Sequence, residues 1–357
     1  MYKHLTIFYL SGTGNALKAA SQIGANASNA NTSTDLISVD HKRTADSTQI
    51  LKSDLIGLCY PTHGFSLPWH MLRFILTMPR VNRKHCFLLN TRAGSKLFNV
   101  HLPGVSGIAQ WLPLLILWLK GYRVRGLFPL DMPSNWISIH PGFSQKSVNF
   151  ITERCMASTK QFACKILSGK TLYRPLAFFF IPLDFLLLPI SLAYMLAGRF
   201  FMSKTFIADY TCTNCGLCIR SCPVGAIKKR FKRPYWTINC ESCMRCMNIC
   251  PEKSIQTAHG YIALVVFALM YIPFFSAFSD YILSFTQTNF AFLDSLIGIT
   301  VFTVMCIPFI VLSYFLCTFL QKFKYSSLFF RYTSLTQYWR HYMAKDVNAA
   351  SFRKKGE

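Results

Sequence analysis

Eight cysteines fall in two runs of one pattern, Cys212-x2-Cys215-x2-Cys218-x3-Cys222-Pro223 and Cys240-x2-Cys243-x2-Cys246-x3-Cys250-Pro251. Thiolates are soft ligands, and a four-iron cubane needs four of them at its iron corners. Three cysteines at x2 intervals fit one tight loop around a cube, so the fourth ligand must come from elsewhere. In the bacterial form of this spacing the fourth cysteine of each run serves the other cluster. Cys212, Cys215, Cys218 and Cys250 are therefore expected to hold one [4Fe–4S] cluster, and Cys240, Cys243, Cys246 and Cys222 a second. Gly216 lets the first loop turn tightly, and Pro223 and Pro251 restrict the chain after each run. A zinc site would take four ligands, usually in two pairs, and leaves the repeated x3-Cys-Pro ending unexplained. The other six cysteines, Cys59, Cys86, Cys155, Cys164, Cys306 and Cys317, show no pairing pattern. Cluster thiols must stay reduced, which points to a reducing cytosol. The apolar run Leu5–Leu10 is too short for the core of a secretory signal.

A second chemistry lies at the amino end. The strand-length run Leu5–Leu10 ends in Ser11-Gly12-Thr13-Gly14-Asn15, and a helical stretch starts at Ala16. Two glycines let the backbone approach a ligand. The Ser11 and Thr13 hydroxyls, the Asn15 amide and free backbone N–H groups can ring a phosphate at a helix N-terminus. Further strands are expected at Leu36–Val39, Leu55–Tyr60, His85–Asn90 and Val124–Leu130. Helices are expected near Ala16–Gly24, Trp69–Met78, Ile108–Lys120 and Gln145–Leu167, with a polar loop over Ala25–Thr34. Alternating strands and helices predict an α/β, doubly wound parallel sheet. Ligands of such sheets sit beyond the carboxyl ends of the strands. Three loops are expected to meet there: Ser11–Asn15, Pro61–Phe65 (with Thr62, His63, Gly64 and Phe65) and Asn90–Gly94 (with Asn90, Thr91, Arg92 and Gly94).

The residues Phe8–Asn15 make the N-terminal half resemble a flavodoxin. Together with the stretch from Gly121-Tyr122-Arg123-Val124 to Met132-Pro133-Ser134-Asn135 and both cysteine runs, they make residues 1–258 resemble the ferrodoxin family. In that family a flavodoxin-like domain is fused to a small α+β two-cluster ferredoxin. The resemblance implies FMN, with its phosphate at Ser11–Asn15 and its ring between the other two loops. Flavodoxins often carry a threonine where this chain has Ala16, and they sandwich the ring with aromatics. Phe65 is the foremost candidate for that role, ahead of His63 and Trp69. His63 is read as a packed loop histidine rather than a proton donor. Arg92 either offsets charge at the flavin or faces solvent. A sheet that binds no flavin and serves as a docking scaffold is the competing reading.

The rear of the chain is apolar in long blocks. Tyr261–Ser279 and Ser295–Gln321 contain no charged residue. Each is long enough for a membrane-spanning helix of about 20 residues, and membrane helices tolerate Pro273 and Pro308. Only Asp280 and Asp294 lie between them, whereas eight Lys and Arg residues from Lys322 to Lys355 follow the second. Positive residues mark the cytoplasmic side. The expectation is a multi-pass protein of the prokaryotic cytoplasmic (inner) membrane, with both termini and the clusters in the cytosol. A third block, Leu176–Gly198, has basic flanks on both sides. Spanning there would separate the two domains, so it is expected to be re-entrant or interfacial. Ile108–Lys120 is apolar enough either for core or for bilayer contact. Five segments result: 1–170 flavodoxin-like, 171–205 connector, 206–259 two-cluster ferredoxin, 260–322 a transmembrane α-helical hairpin, and 323–357 a basic cytoplasmic tail.

Thirty-eight Lys and Arg against 14 Asp and Glu give a net charge of +24. Many of these cations flank apolar blocks, which suits anionic headgroups better than nucleic acid. The run Lys228-Lys229-Arg230-Phe231-Lys232-Arg233 is either a solvated hairpin or a docking patch for an acidic redox protein or lipid. No paired carboxylates or nucleophile motif compete with redox chemistry. Three functions stay open: an oxidoreductase passing electrons between a soluble ferredoxin or other redox protein and a membrane acceptor such as quinone; a carrier subunit feeding another enzyme; and a sensor or scaffold with clusters but no flavin.

Overall fold

The structure is a computed structural model that describes residues 2–42, 44–98, 100–173, 180–271, 277, 281, 284, 291–345 and 347. Apolar runs of strand length build its N-terminal sheet. β1 (His4–Tyr9), β2 (Ser33–Ser38), β3 (Leu55–Pro61), β4 (Lys84–Leu97), β6 (Tyr122–Pro133) and β7 (Leu172–Tyr173) lie parallel in the order β2-β1-β3-β4-β6-β7. β5 (Val100–Leu102) pairs antiparallel with the overhanging end of β4. Without this side hairpin the central order is the flavodoxin-like one, with its switch point between β1 and β3. The fold class is therefore the doubly wound α/β sheet expected, joined to a second, cysteine-bearing domain.

Both sheet faces are covered, which is why β1 and β3 are buried almost continuously. On one face, α1 (Asn15–Asn29) and α5 (Gln145–Leu167) pack Ala19, Ala20, Ile23, Phe162 and Ile166 against Leu5, Ile7, Phe87 and Leu89. On the other, α3 (Trp69–Thr77) and α4 (Ile108–Leu119) pack Met71, Phe74, Ile75 and Leu117 against Phe8, Ile56, Leu58 and Leu88. The short helix α2 (Ser47–Lys52) buries Ile50 and is capped by the Asp46 carboxylate, which accepts from Thr48 N. The loop expected over Ala25–Thr34 is instead the last turns of α1 and the start of β2. Ala27 is fully buried against the sheet, and that contact carries the helix through the polar stretch. α4 divides its apolar surface. Ile108, Ala109, Pro113 and Leu117 are buried, while Leu115, Trp118 and Leu119 are exposed.

The connector forms short consecutive helices, Ile181–Leu186, Leu188–Ala193, Tyr194–Gly198 and Arg199–Ser203, rather than one long helix. It is fastened to the sheet by polar contacts. Asp184 accepts from Gly107 N (2.7 Å) and Trp111 Nε1 (2.9 Å), and Ser191 Oγ donates to Phe65 O (3.0 Å). Its outer side is apolar, with Phe185, Leu186, Ile190 and Leu196 exposed.

The cysteine-bearing region is built from β8 (Phe206–Ala208) paired with β11 (Ile255–Thr257), and from the hairpin β9 (Ile227–Arg230)–β10 (Arg233–Trp236). Its two halves are copies offset by 28 residues (240 − 212), since the same offset links left-handed residues Asn214 with Ser242, Gly216 with Met244, and Gly225 with Lys253. Met244 and Lys253 hold a conformation that glycine adopts freely in the other copy, which means the tertiary structure dictates it.

Among the described residues one helix is long and apolar enough to cross a bilayer, Leu293–Leu320, of 28 residues. Its carboxyl end docks on the cysteine-bearing region, where Tyr314 donates to Phe206 O (3.0 Å) and Cys317 packs near Ile207, Ala258 and Phe330. Of the other expected span, the described part is the helix His259–Tyr271. Most of the rest, 272–276 and 278–280, lies outside the described residues.

Candidate functional site

The chain turns from β1 into α1 at Ser11–Asn15. Gly14 has φ +99°, a conformation that suits glycine, and it leaves the N-terminus of α1 without a side-chain cap. Ser11 Oγ accepts from Leu17 N (3.2 Å) and Thr13 Oγ1 from the Asn135 amide (2.5 Å), so each hydroxyl keeps its own O–H free to donate. Asn15 departs from expectation. Its amide nitrogen donates to Pro133 O (3.0 Å), and its oxygen accepts from Tyr342 Oη (2.6 Å). It ties the loop to the end of β6 and to the C-terminal tail instead of facing a phosphate.

A cleft opens beside this loop, at the carboxyl ends of β1, β3, β4 and β6. Of the expected residues, Ser11, Gly12, Thr13, Asn15, Thr62, His63, Thr91 and Arg92 line it. Gly14, Gly64, Phe65, Asn90 and Gly94 are set outside the lining. Gly64 and Phe65 form a tight left-handed turn, at φ +52° and +61°. Asn90 is fully buried, donating to Thr62 Oγ1 (2.9 Å) and Ser106 Oγ (3.1 Å). Gly94 lies where a Cβ would meet Asp131 O at 2.2 Å. The aromatic walls come from residues the sequence did not single out, Trp136 and Tyr194, whose rings meet edge to face at 5.9 Å. Trp69, the weaker candidate, lies elsewhere, with Arg199 over its ring and its backbone N–H donating to Glu241.

Arg92 neither faces solvent nor stands free. It is buried and donates to Asp131 at 2.5 Å. Burial lowers the His63 imidazole to about 4, so the ring is neutral at ordinary pH. Its Nδ1 and Trp136 Nε1 are enclosed without a hydrogen-bond partner in the protein, and the Tyr194 hydroxyl, beside Ser242, lies on the same cleft. Buried polar atoms of this kind normally have partners. Two of them around one cleft, beside free hydroxyls and an uncapped helix N-terminus, fit a ligand with a polar-edged ring and a phosphate, as FMN has.

The eight cysteines come together as two interleaved sets. Cys212, Cys215, Cys218 and Cys250 line one cavity, without Cys222. Burial first, and then its neighbours Cys212, Cys250 and Cys215, raise the Cys218 thiol to about 12. Cys240 is raised by burial and then by Cys222 and Cys243, so the fourth cysteine of the first run sits with the second set. Backbone N–H groups point at sulfur, Ala226 N at Cys222 Sγ (3.2 Å) and Ser242 N at Cys240 Sγ (3.4 Å). Among the described residues no three His, Cys, Asp or Glu side chains converge as around a single ion. Thiols ringing a cavity suit a polynuclear cluster.

The two sites share a wall. Ser242, Cys243 and Met244 line the same cleft as Ser11–Asn15. A Cβ on Gly12 would stand 2.4 Å from Cys243 O, so only glycine permits this approach. Arg245, between two cysteines of the run, locks the contact. Its guanidinium donates to Gly12 O (3.1 Å), Ser11 O (2.5 Å), Ser221 O (2.8 Å) and both Asp40 oxygens (2.5 and 3.2 Å). Glu241 adds a second tie, accepting from Trp69 N and His70 N (both 3.0 Å) at the start of α3. Burial raises its carboxyl to about 7, against the opposing pull of Arg199 and the two N–H groups. A cation inside a ligand loop was the one sequence signal for this interface.

Residues 211–255 match the family model described as a 4Fe-4S dicluster domain. No curated protein matches the chain. Among solved structures, a flavodoxin from the domain Archaea is similar at 15% identity, covering 46% of this chain and 98% of that one, with a TM-score of 0.31. Flavodoxin 1 from Bacillus cereus is similar at 16% identity, covering 44% and 96%, with a TM-score of 0.32. The rubredoxin oxygen:oxidoreductase of Desulfovibrio gigas is similar at 12% identity, covering 47% of this chain and 36% of that one, with a TM-score of 0.32.

Proposed function

We propose that this chain, which joins a flavodoxin-like sheet to a 4Fe-4S dicluster domain, carries electrons between two [4Fe–4S] clusters and FMN at the surface of a membrane. The shared wall carries this reading, because Cys243, a ligand in the second set, packs on Gly12 of the phosphate loop. Cys212, Cys215, Cys218 and Cys250 hold one cluster; Cys240, Cys243, Cys246 and Cys222 hold the other. Clusters exchange single electrons and FMN one or two, so together they couple one-electron to two-electron partners.

The chain's own residues then have definable tasks. Ser11, Thr13 and the backbone N–H groups of the loop bind the phosphate at the start of α1. His63, Trp136 and Tyr194 offer polar atoms to the ring, and Thr62, Thr91 and the Arg92–Asp131 pair complete the wall. Arg245 fixes the second cysteine set against the loop, so that the transfer distance is set by packing rather than by a linker. The helix Leu293–Leu320 anchors the assembly in the bilayer, with its carboxyl end and the basic segment after it on the cytosolic side. A second span through the segment after Tyr261 would return the chain, giving a multi-pass protein of the cytoplasmic membrane. The partners are a soluble ferredoxin or other redox protein on one side and a membrane acceptor such as quinone on the other.

Rapid anaerobic mixing with a one-electron donor tests the reading. Flavin reduction following cluster reduction at a rate independent of protein concentration supports it. A rate proportional to protein concentration means that electrons pass between molecules, and refutes the shared wall as the path.

A further inference from the structure

The chain beyond the apolar helix does not trail away. Helix Lys324–Tyr332 and the turn Leu335–Tyr338 bring it back along the cysteine-bearing region, where Arg331 pairs with buried Asp209 at 2.8 Å. The next residues cross to the opposite domain. Tyr342 N donates to Asn248 Oδ1 (2.7 Å), between Cys246 and Cys250 of the second run. Tyr342 Oη donates to Asn15 Oδ1 (2.6 Å), Ala344 N to Thr13 O (2.8 Å), and Lys18 Nζ to Lys345 O (3.2 Å). Tyr342 and Ala344 are both buried, at 6% and 2% exposure. A Cβ on Gly14 would meet Ala344 Cβ at 2.9 Å and Val347 Cβ at 3.0 Å.

A sequence-distant segment therefore lies over three residues of the phosphate loop, Thr13, Gly14 and Asn15. Ser11, Thr13 and Asn15 hold this loop by side-chain bonds to Leu17 N, Asn135 and Pro133 O, but the backbone C=O of Thr13 and the Asn15 oxygen take their partners from the tail. We infer that the tail segment 342–345 is a structural part of the phosphate site: Tyr342 and Ala344 are positioning residues that hold Thr13–Asn15 in the shape that binds the cofactor phosphate. The site is thereby completed only by a chain that has already passed through the apolar helix. This inference rests on the FMN reading for its ligand, though not for the restraint itself.

The test uses the full chain in detergent with two variants. Tyr342→Phe keeps the ring and removes one hydroxyl; Ala344→Pro removes the N–H to Thr13 O. FMN affinity is measured by quenching of flavin fluorescence on titration into flavin-stripped protein, with iron content as the control for the cysteine sets. Each variant is expected to bind FMN about five- to tenfold more weakly, the worth of one buried hydrogen bond, with unchanged iron. Hydrogen exchange of the peptide spanning Ser11–Leu17 is measured on the same samples without flavin, and should be faster in both variants. Wild-type protein that binds no FMN sinks the cofactor reading, and the exchange data then decide the restraint alone. Exchange equal to wild type in both variants overturns the inference, as does wild-type FMN affinity in both.

Discussion

Arg245 is where the account is most exposed to measurement. It is 1% exposed by side chain and sits between two cysteines, yet four of its five N–H bonds reach the sheet domain. Three end on backbone carbonyls of Ser11, Gly12 and Ser221, and two on Asp40, which is itself 13% exposed. Arg245→Met keeps volume and deletes every donor. The three carbonyls lose their partner at about 1 kcal/mol each, and Asp40 keeps a charge with no counter-charge, which water reaches in part. Breaking a buried pair in this way costs about 3–5 kcal/mol. For a domain of this size that is a fall of about 6–20 °C in melting temperature. Arg245→Lys keeps the charge beside Asp40 but cannot reach three carbonyls at once, and should fall about halfway. Thermal melts of the detergent-solubilised protein, followed by cluster absorbance and by circular dichroism, read both. The same melts on Asp40→Asn and the double variant give the coupling between the pair. If Arg245→Met melts within 2 °C of wild type, a marginal change on the same scale, the guanidinium does not hold the interface and the shared wall is incidental.

Other outcomes follow from single groups. Because burial depresses His63 to about 4, the unfolded chain takes up a proton there that the folded chain refuses below pH 6.5. Stability should therefore be intact above that pH and fall by about 1–2 kcal/mol on acidification to pH 5, the partly exposed ring taking less than the full linkage; His63→Gln should flatten that part of the profile, and an unchanged slope contradicts the burial. In electron paramagnetic resonance of reduced protein, Cys250→Ala should give the spectrum of Cys215→Ala, and Cys222→Ala that of Cys243→Ala. Pairing by run instead, with Cys250→Ala matching Cys243→Ala, overturns the interleaved sets. Membranes holding the protein should retain it through an alkaline carbonate wash; release into the supernatant denies that Leu293–Leu320 spans.

The sheet was legible because its signal is local. Leu5–Leu10 and Leu55–Tyr60 are apolar runs of strand length bounded by Gly, Pro and polar residues, and Gln145–Leu167 is helical over the range expected. The cysteine spacing was legible for the same reason. What was hidden is long-range. Nothing near Tyr342 announces that it reaches Asn15, 327 positions away, and nothing near Tyr194 marks it as a wall of the cleft. Phe65 looked like the ring's partner because it is the aromatic of the right loop, but the turn at Gly64 and Phe65 sets it outside the cleft lining. For Arg92 the sequence left open a role at the flavin or plain solvation; the structure instead buries it against Asp131, 2.5 Å away. Helix ends in polar stretches were misjudged at Ala25–Thr34, where burial of Ala27 outweighs local polarity.

The central claim is that one chain holds two clusters and packs the second of them against a flavin site. Anaerobic purification in detergent, with iron and FMN quantified on the same sample, tests it most directly. The account predicts one FMN and about eight irons per chain, as two four-iron clusters require. About eight irons with no FMN, and none taken up on reconstitution, would leave the clusters standing and contradict the flavin half of the account.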